Sequence, residues 1–338
     1  MFEWLKLPAD QKLNFLNQAS AMTGYPSAAI EKDWWVTAPL KAVFDTRWAK
    51  HLVFKGGTSL SKGWNLIERF SEDIDLAMER TALGFTDGKI SKSQIKLLRK
   101  KSARFMEDDF LPALEISLEQ AGIDPVQFTL QIDPISSDDV DPRNMRLKYA
   151  AVAPGSSYLR AEVQIEIGAR SLQEPYSKRE IRSILTELFP QTPVADAVFS
   201  VETVHPERTF YEKAMLLHEE FLKSPSDMRH FRLSRHPYDL HRIKQSPFAA
   251  RALANSQLFD KIVEHRMLFT PIRGIPYDRH TFTEIDFRPP AAVIDLWRAD
   301  YEQMAEMIFG DRPTFDELME SMEDLLKMFR KAGANQKN

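Results

Sequence analysis

Asp73 and Asp75 stand two residues apart in Arg69-Phe70-Ser71-Glu72-Asp73-Ile74-Asp75-Leu76, with apolar residues alternating between them. On an extended strand this spacing sends both carboxylates to one side while Ile74 and Leu76 face a core. Two bare carboxylates placed together repel, and each favours protonation of the other. A divalent cation relieves that conflict, and hard oxygen donors of this kind suit Mg²⁺ or Mn²⁺. Asp is depleted in strands, so the pair runs against local propensity. The bland alternative is the solvated face of an edge strand. A two-metal site needs a further acid near the attacking group. In Glu162-Val163-Gln164-Ile165-Glu166-Ile167 the alternation leaves Glu162, Gln164 and Glu166 opposite an apolar face. Glu166 is the first candidate there and Glu162 the fallback.

Upstream lies Lys55-Gly56-Gly57-Thr58-Ser59-Leu60-Ser61-Lys62, directly after the apolar run His51-Leu52-Val53-Phe54. Two glycines after a strand let the backbone turn tightly and approach a ligand without a Cβ in the way. A helix opening at that point would offer free N–H groups to a triphosphate tail, with Thr58 and Ser59 adding hydroxyls. The G-x-x-x-x-G-K-[ST] spacing of the P-loop is absent. By itself the segment reads as an ordinary strand-to-helix turn, and the acidic pair after it gives it weight. Ser71, two residues before Asp73, falls on the same side of the strand. Phosphate on Ser71 would set negative charge beside the metal ligands and silence the site; full activity in Ser71→Asp would dismiss that idea.

These residues need a frame. Apolar spacing predicts a helix through Leu13, Phe15, Leu16 and Ala19, stopped by Gly24-Tyr25-Pro26, and a second from Ala28 towards Phe44. A short strand at 51–54, a helix from Thr58 to about Glu68 and a strand from Ser71 to Met78 follow. Residues 91–121 read as one long amphipathic helix, and 128–132 and 159–167 as strands. The acidic stretch from Asp133-Pro134 to Pro142 reads as a turn-rich connection. Beyond Phe189-Pro190-Gln191-Thr192-Pro193 the pattern turns helical: 207–223, 226–245, 248–266, 290–309 and 313–332, with a Pro/Gly-rich loop at 270–290. The expectation is an α+β protein. A small mixed sheet flanked by helices occupies 1–200, and a helical domain over 201–338 closes a nucleotide cleft.

Composition narrows the classes. The 338 residues include 45 basic and 49 acidic side chains, a net charge of −4, so no overall field advertises a nucleic-acid or membrane partner. Cysteine is absent, which excludes disulfide frameworks, thiol catalysis and Cys-ligated metals. His218-Glu219-Glu220 lacks the second His of H-E-x-x-H, so a zinc hydrolase is not expected. There is no basic leader with an apolar core and no apolar run of ~18 residues, so a cytoplasmic protein without membrane association is expected. Charge is concentrated locally, with seven basic residues and no acid between 89 and 104. A second basic stretch, 226–251, carries Arg229, Arg232, Arg235, Arg242, Lys244 and Arg251 against Asp227 and Asp239. Such patches could neutralise an RNA backbone, or be solvated helix faces.

The stretch FKGGTSLSKGWNLIERFSEDIDL, residues 54–76, resembles the signature of the AbiEii/AbiGii-type toxin nucleotidyltransferases, which have a polymerase-β-like fold and are related to MenT-type toxins. Glu212-Lys213-Ala214-Met215-Leu216-Leu217 and Arg235-His236-Pro237-Tyr238-Asp239-Leu240 resemble that family's later motifs, and Ile30-Glu31-Lys32-Asp33-Trp34 an early one. The resemblance implies a toxin of a bacterial toxin–antitoxin or phage-defence locus. It would move a nucleoside monophosphate from a nucleoside triphosphate to an RNA acceptor, the 3′ end of transfer RNA, with Mg²⁺ or Mn²⁺ and a cognate antitoxin as partner. Asp73, Asp75 and Glu166 would hold the metals, and Gly57, Thr58 and Ser59 would cradle phosphates. Lys213 would neutralise phosphate charge and Asp239 would be a further active-site group. Lys55, Gly56, Lys62, Arg69, Ser71 and Arg235 complete the expected nucleotide contacts. Two other readings stay open: transfer to a Ser, Thr or Tyr hydroxyl of a protein, and a non-catalytic nucleotide-binding module.

Overall fold

The computed structural model describes residues 3–86, 88–134, 142–155, 159–170 and 174–335. Most of the expected turn between Asp133 and Pro142 lies outside the described residues. The chain divides into two compact units, one formed by Met1–Gly63 and Phe70–Val204, the other by Trp64–Arg69 and His205–Asn338. Each is built around its own core.

In the first unit, α1 (Ala9–Thr23) ends where Gly24 adopts φ +76° and returns its N–H to the Ser20 carbonyl. Helix α2 (Ser27–Asp45) follows and is buried on almost every side, including Trp34, Trp35 and Leu40. A seven-stranded sheet supplies the rest of the core. Its strands are β1 (Leu52–Lys55), β2 (Ile74–Met78), β3 (Phe128–Ile132), β4 (Arg143–Tyr149), β5 (Glu162–Gly168), β6 (Tyr176–Ile181) and β7 (Phe199–Val204). Their order is β3-β4-β5-β2-β1-β7-β6. The β2/β5 and β1/β7 pairs are parallel and the other pairs antiparallel. Helix α3 (Gly56–Lys62) grows straight out of β1. The expected helix over 91–121 is present as α4 (Lys92–Arg104) and α5 (Leu111–Gln120), joined through a π-helical turn, Phe105–Phe110. Ser91 and Gln94 form a capping box that fixes where α4 begins. Helix α6 (Ile184–Leu188) precedes β7.

The second unit contains α7 (Pro206–Phe221), α8 (Arg235–Lys244), α9 (Pro247–Leu253), α10 (Ser256–Phe269), α11 (Ile294–Gln303) and α12 (Phe315–Asn335). Its centre is aromatic: the Phe329 ring lies 5.5 Å from Phe210, 5.4 Å from Phe282 and 5.5 Å from Phe287. The helix expected over 226–245 begins only at Arg235, and that expected over 248–266 is broken by Asn255, whose side chain accepts the Leu258 N–H and caps α10. Among the described residues no helix is long and apolar enough to cross a membrane.

Helix α3 is shorter than its sequence suggests. It ends at Lys62, with the Gly63 N–H on the Ser59 carbonyl. A Cβ at Gly63 would stand 3.0 Å from that carbonyl and 3.1 Å from Thr203. Trp64 then packs edge-on against His205 and Phe248. Arg69 bridges Ile308, so 64–69 belongs to the second unit.

Candidate active site

Register across the sheet determines which side chains meet. Lys55 on β1 is opposite Asp75 on β2, Asp75 is opposite Glu166 on β5, and Glu166 is opposite Asn144 on β4. Directly opposed residues share a face, so Lys55, Asp75, Glu166 and Asn144 form one row. The alternation read from sequence is present: Ile74, Leu76, Val163, Ile165 and Ile167 are buried, while Asp73, Asp75, Glu162 and Glu166 are half-buried. Lys55 reaches along the row, its Nζ 3.9 Å from Glu166 Oε1. Asp73 lies one residue ahead of β2, on the Asp75 side. Glu162 is elsewhere: it accepts from Arg146 at 2.9 Å, opposite end-of-strand Lys148. Register thus sets Glu166, not Glu162, beside Asp75.

The glycine turn caps this row. Gly56 adopts φ +80°, and a Cβ built on it would lie 1.9 Å from Asp75 Oδ2. The carboxylate of Asp75 therefore occupies the space that any other residue at 56 would fill. Thr58 and Ser59 are both buried; Ser59 donates to the Gly56 carbonyl at 2.9 Å and Thr58 to Ser71 Oγ at 2.9 Å. Ser59 thus closes the turn on itself, and Thr58 ties it to the segment that leads into β2. The Lys62 ammonium sits 2.5 Å from Asp33 Oδ1, inside the unit.

Among the described residues no three His, Asp or Glu side chains converge as a ready-made metal cluster. The row offers instead a carboxylate pair in register with an amide oxygen beside it. Asn144 Oδ1 is buried without a hydrogen-bond partner, next to Glu166. Hard oxygens, one of them orphaned, fit a Mg²⁺-type ion. Sequence reading passed over Asn144, although Met145, Leu147 and Tyr149 alternate with it in β4 and reveal its face.

The second unit holds a separate charged cluster. Arg69 grips Asp239 with a two-pronged fork, Nε to Oδ1 and Nη2 to Oδ2, both 2.7 Å. Lys213 Nζ lies 2.8 Å from Asp239 Oδ2 and 3.3 Å from His236 Nδ1. Burial alone would raise the Asp239 pKa, but the two cations outweigh it and hold the carboxyl well below the usual range. Burial pushes the Lys213 ammonium down, against the pull of Asp239. Burial, with Lys213 and Arg235 nearby, keeps His236 neutral, so its ring accepts from the ammonium. Arg235, half-buried, opens α8.

A family model described as "Nucleotidyl transferase AbiEii toxin, Type IV TA system" matches residues 40–321. The chain belongs to the AbiEii nucleotidyltransferase toxin family. It is thereby a toxin nucleotidyltransferase of a type IV toxin–antitoxin system, and membership implies a nucleoside triphosphate substrate and an antitoxin partner. Among solved structures the chain is similar to MenT4, a nucleotidyltransferase toxin of Mycobacterium tuberculosis H37Rv, at 16% identity and a TM-score of 0.43, covering 96% of this chain and 99% of that one. No curated protein sequence matches the chain.

In this AbiEii-family chain the two basic stretches differ in kind. Lys89, Lys92, Lys96, Lys100, Lys101 and Arg104 are all exposed on and just before α4. The cations of 226–251 are mostly engaged within the second unit: Arg229 with Glu220, Arg242 with Glu68, Lys244 with Asp324 and Arg251 with Glu207. A charge count along the sequence omits those distant acids.

Proposed function

We propose that the protein transfers a nucleoside monophosphate from a nucleoside triphosphate to the 3′ end of a transfer RNA, in a metal-dependent reaction that serves phage defence. The observation that carries this reading is the row Lys55-Asp75-Glu166 under Gly56, a carboxylate pair bordered by an ammonium, with the missing Cβ at residue 56 giving Asp75 its room. Asp73, Asp75 and Glu166, with Asn144 Oδ1 beside them, would hold the divalent cation. When bound, that cation lowers the pKa of the attacking hydroxyl and neutralises charge on the leaving pyrophosphate.

The chain's own groups do the positioning. Gly56 leaves the Asp75 carboxylate its place in the row, the Gly57 backbone is offered to the triphosphate, and Lys55 supplies a cation at the edge of the carboxylates. The acceptor hydroxyl attacks the α-phosphorus; its O–P bond forms as the bond to pyrophosphate breaks, and its proton leaves to the carboxylate row. Lys213, Arg235 and Asp239 enter the proposal as the resemblance implies, Lys213 to neutralise phosphate charge, Arg235 as a nucleotide contact and Asp239 as a further active-site group. The exposed basic face of α4 supports an RNA acceptor.

The test is incubation with Mg²⁺, each labelled nucleoside triphosphate, total RNA and cell protein. Wild type should label a small-RNA band. Asp75→Asn and Glu166→Gln should lose on the order of 10²-fold or more, while Glu162→Gln stays within about threefold. Label in protein bands would replace the RNA acceptor by a protein hydroxyl, and no Asp75-dependent label would remove the catalytic reading.

A further inference from the structure

Three consecutive ionisable residues on α2, Glu31, Lys32 and Asp33, are 2%, 3% and 7% exposed. At 100° per residue they point three ways around the helix, which is possible only because protein surrounds α2. Charged side chains are almost never buried unless paired, and each of these finds its partner far along the first unit. Glu31 accepts the N–H groups of Val152 and Ala153, both at 2.8 Å. Lys32 pairs with Glu72. Asp33 takes the Lys62 ammonium on one oxygen and the Ile184 N–H, at 2.8 Å, on the other. Two of these partners flank the glycine and aspartate motifs. Glu72 immediately precedes Asp73, and Lys62 closes the helix that Gly56 opens.

The strand entering β2 poses a problem of parity. Ser71-Glu72-Asp73-Ile74-Asp75 carries carboxylates at both odd and even positions. A slip of one residue would send Asp73 and Asp75 inward and Glu72 out. In the structure Glu72, Ile74 and Leu76 are buried, and Ser71, Asp73 and Asp75 are half-buried. A carboxylate on the interior face is tolerated where a cation already stands. Lys32 is that cation.

We infer that Lys32 is a positioning residue for nucleotidyl transfer: by taking Glu72 inward it presents Asp73 and Asp75 on the opposite face, while Asp33 anchors the far end of α3 through Lys62. What Asp73 and Asp75 then do rests on the proposed function; the parity clamp itself does not.

The experiment compares full-length wild type, Lys32→Met, Lys32→Arg and the double variant Lys32→Met/Glu72→Met. Leu118→Ala, a truncation at a fully buried position on α5, serves as a control for general core damage. Amide hydrogen exchange over 71–78, Mn²⁺ binding without substrate, and KM and kcat for the triphosphate are measured on each. Lys32→Met should lose protection over 71–78 and bind Mn²⁺ at least about tenfold more weakly, with Lys32→Arg within about threefold of wild type. In the double variant residue 72 is apolar and stays inside without a cation, so protection and Mn²⁺ affinity should return. Wild-type protection and Mn²⁺ affinity in Lys32→Met would overturn the inference, as would equal losses in Leu118→Ala. Should Lys32→Met not fold, a double variant that folds without regaining protection over 71–78 overturns it. A wild type that binds no Mn²⁺ would remove the metal reading alone, and hydrogen exchange would still decide on the clamp.

Discussion

The carboxylate of Asp75 lies where the side chain of residue 56 would be: a Cβ on Gly56 would stand 1.9 Å from Asp75 Oδ2. Strand β1 and strand β2 are antiparallel neighbours, and Lys55 pairs with Asp75, so the turn after β1 folds directly over the acidic strand. This contact joins the two sequence motifs, glycine turn and aspartate pair, into one constellation.

Gly56→Ala should therefore abolish nucleotide incorporation. The methyl group collides with Asp75, and φ +80° adds backbone strain of about 1–2 kcal/mol. Gly24→Ala is the matched control, with φ +76° and nothing within 4 Å. It should lose comparable backbone stability in a thermal melt and keep its activity. Equal activity losses in both would mean that backbone strain, and not the displacement of Asp75, is responsible.

Asp239→Asn should act first on stability. It leaves Arg69 and Lys213 buried without their shared counter-charge, a loss of about 3–5 kcal/mol. Urea unfolding followed in the second unit would read it. Lys213→Met should cost less, because Arg69 still forks both carboxylate oxygens. If Asp239→Asn unfolded like wild type and only activity fell, the cluster would have a direct role towards substrate.

Much of this was legible from sequence where the signal is local. Period-two alternation placed Asp73, Asp75 and Glu166 on their face, and Gly24 marked a helix end. Strand β6, Tyr-Ser-Lys-Arg-Glu-Ile, was not legible, because an edge strand with mostly exposed side chains has no apolar period to read. The handover of 64–69 to the second unit was equally hidden. The partners that draw it there, His205, Phe248, Asp239 and Ile308, are far away in sequence. Sequence puts Glu166 ahead of Glu162 as a candidate, but that Glu166 is the one opposite Asp75 is a matter of register, which a single strand does not encode.

Stability should fall as pH drops from about 7 towards 5, because the buried histidines outnumber the Asp196 and Glu31 carboxyls, which burial pushes up and which act the other way. Burial holds His236 and His218 below their ordinary value, and burial with neighbouring His218 pushes His280 down to about 4. Unfolded, each takes up a proton near pH ~6.5; folded, each resists until lower pH. The unfolded state thus binds more protons across that window, and stability rises with pH there. Asp239 contributes in a different window: its lowered carboxyl gives stability that is present above ~4 and lost on further acidification. Thermal midpoints measured from about pH 7 down to 5 should decline, and His280→Phe should flatten the slope. An unchanged slope in His280→Phe would contradict the histidine assignment.

The α4 basic face should govern RNA affinity and its salt dependence without touching the triphosphate. Lys92, Lys96 and Lys100 recur at helical spacing and are exposed. Reversing all three to Glu should weaken binding of total transfer RNA and reduce the slope of log K against log salt by about 2–3, near one per lost phosphate contact. KM for the triphosphate should stay within about twofold, since these residues lie outside the Lys55-Asp75-Glu166 row. Arg251→Glu makes the contrast. Arg251 already pairs with Glu207 at 2.8 Å, so its reversal sets two acids together and should lower thermal stability while leaving the RNA salt slope alone. An unchanged slope after the triple reversal would mean that the acceptor is not held by this helix, whatever nucleotide the row beneath Gly56 takes.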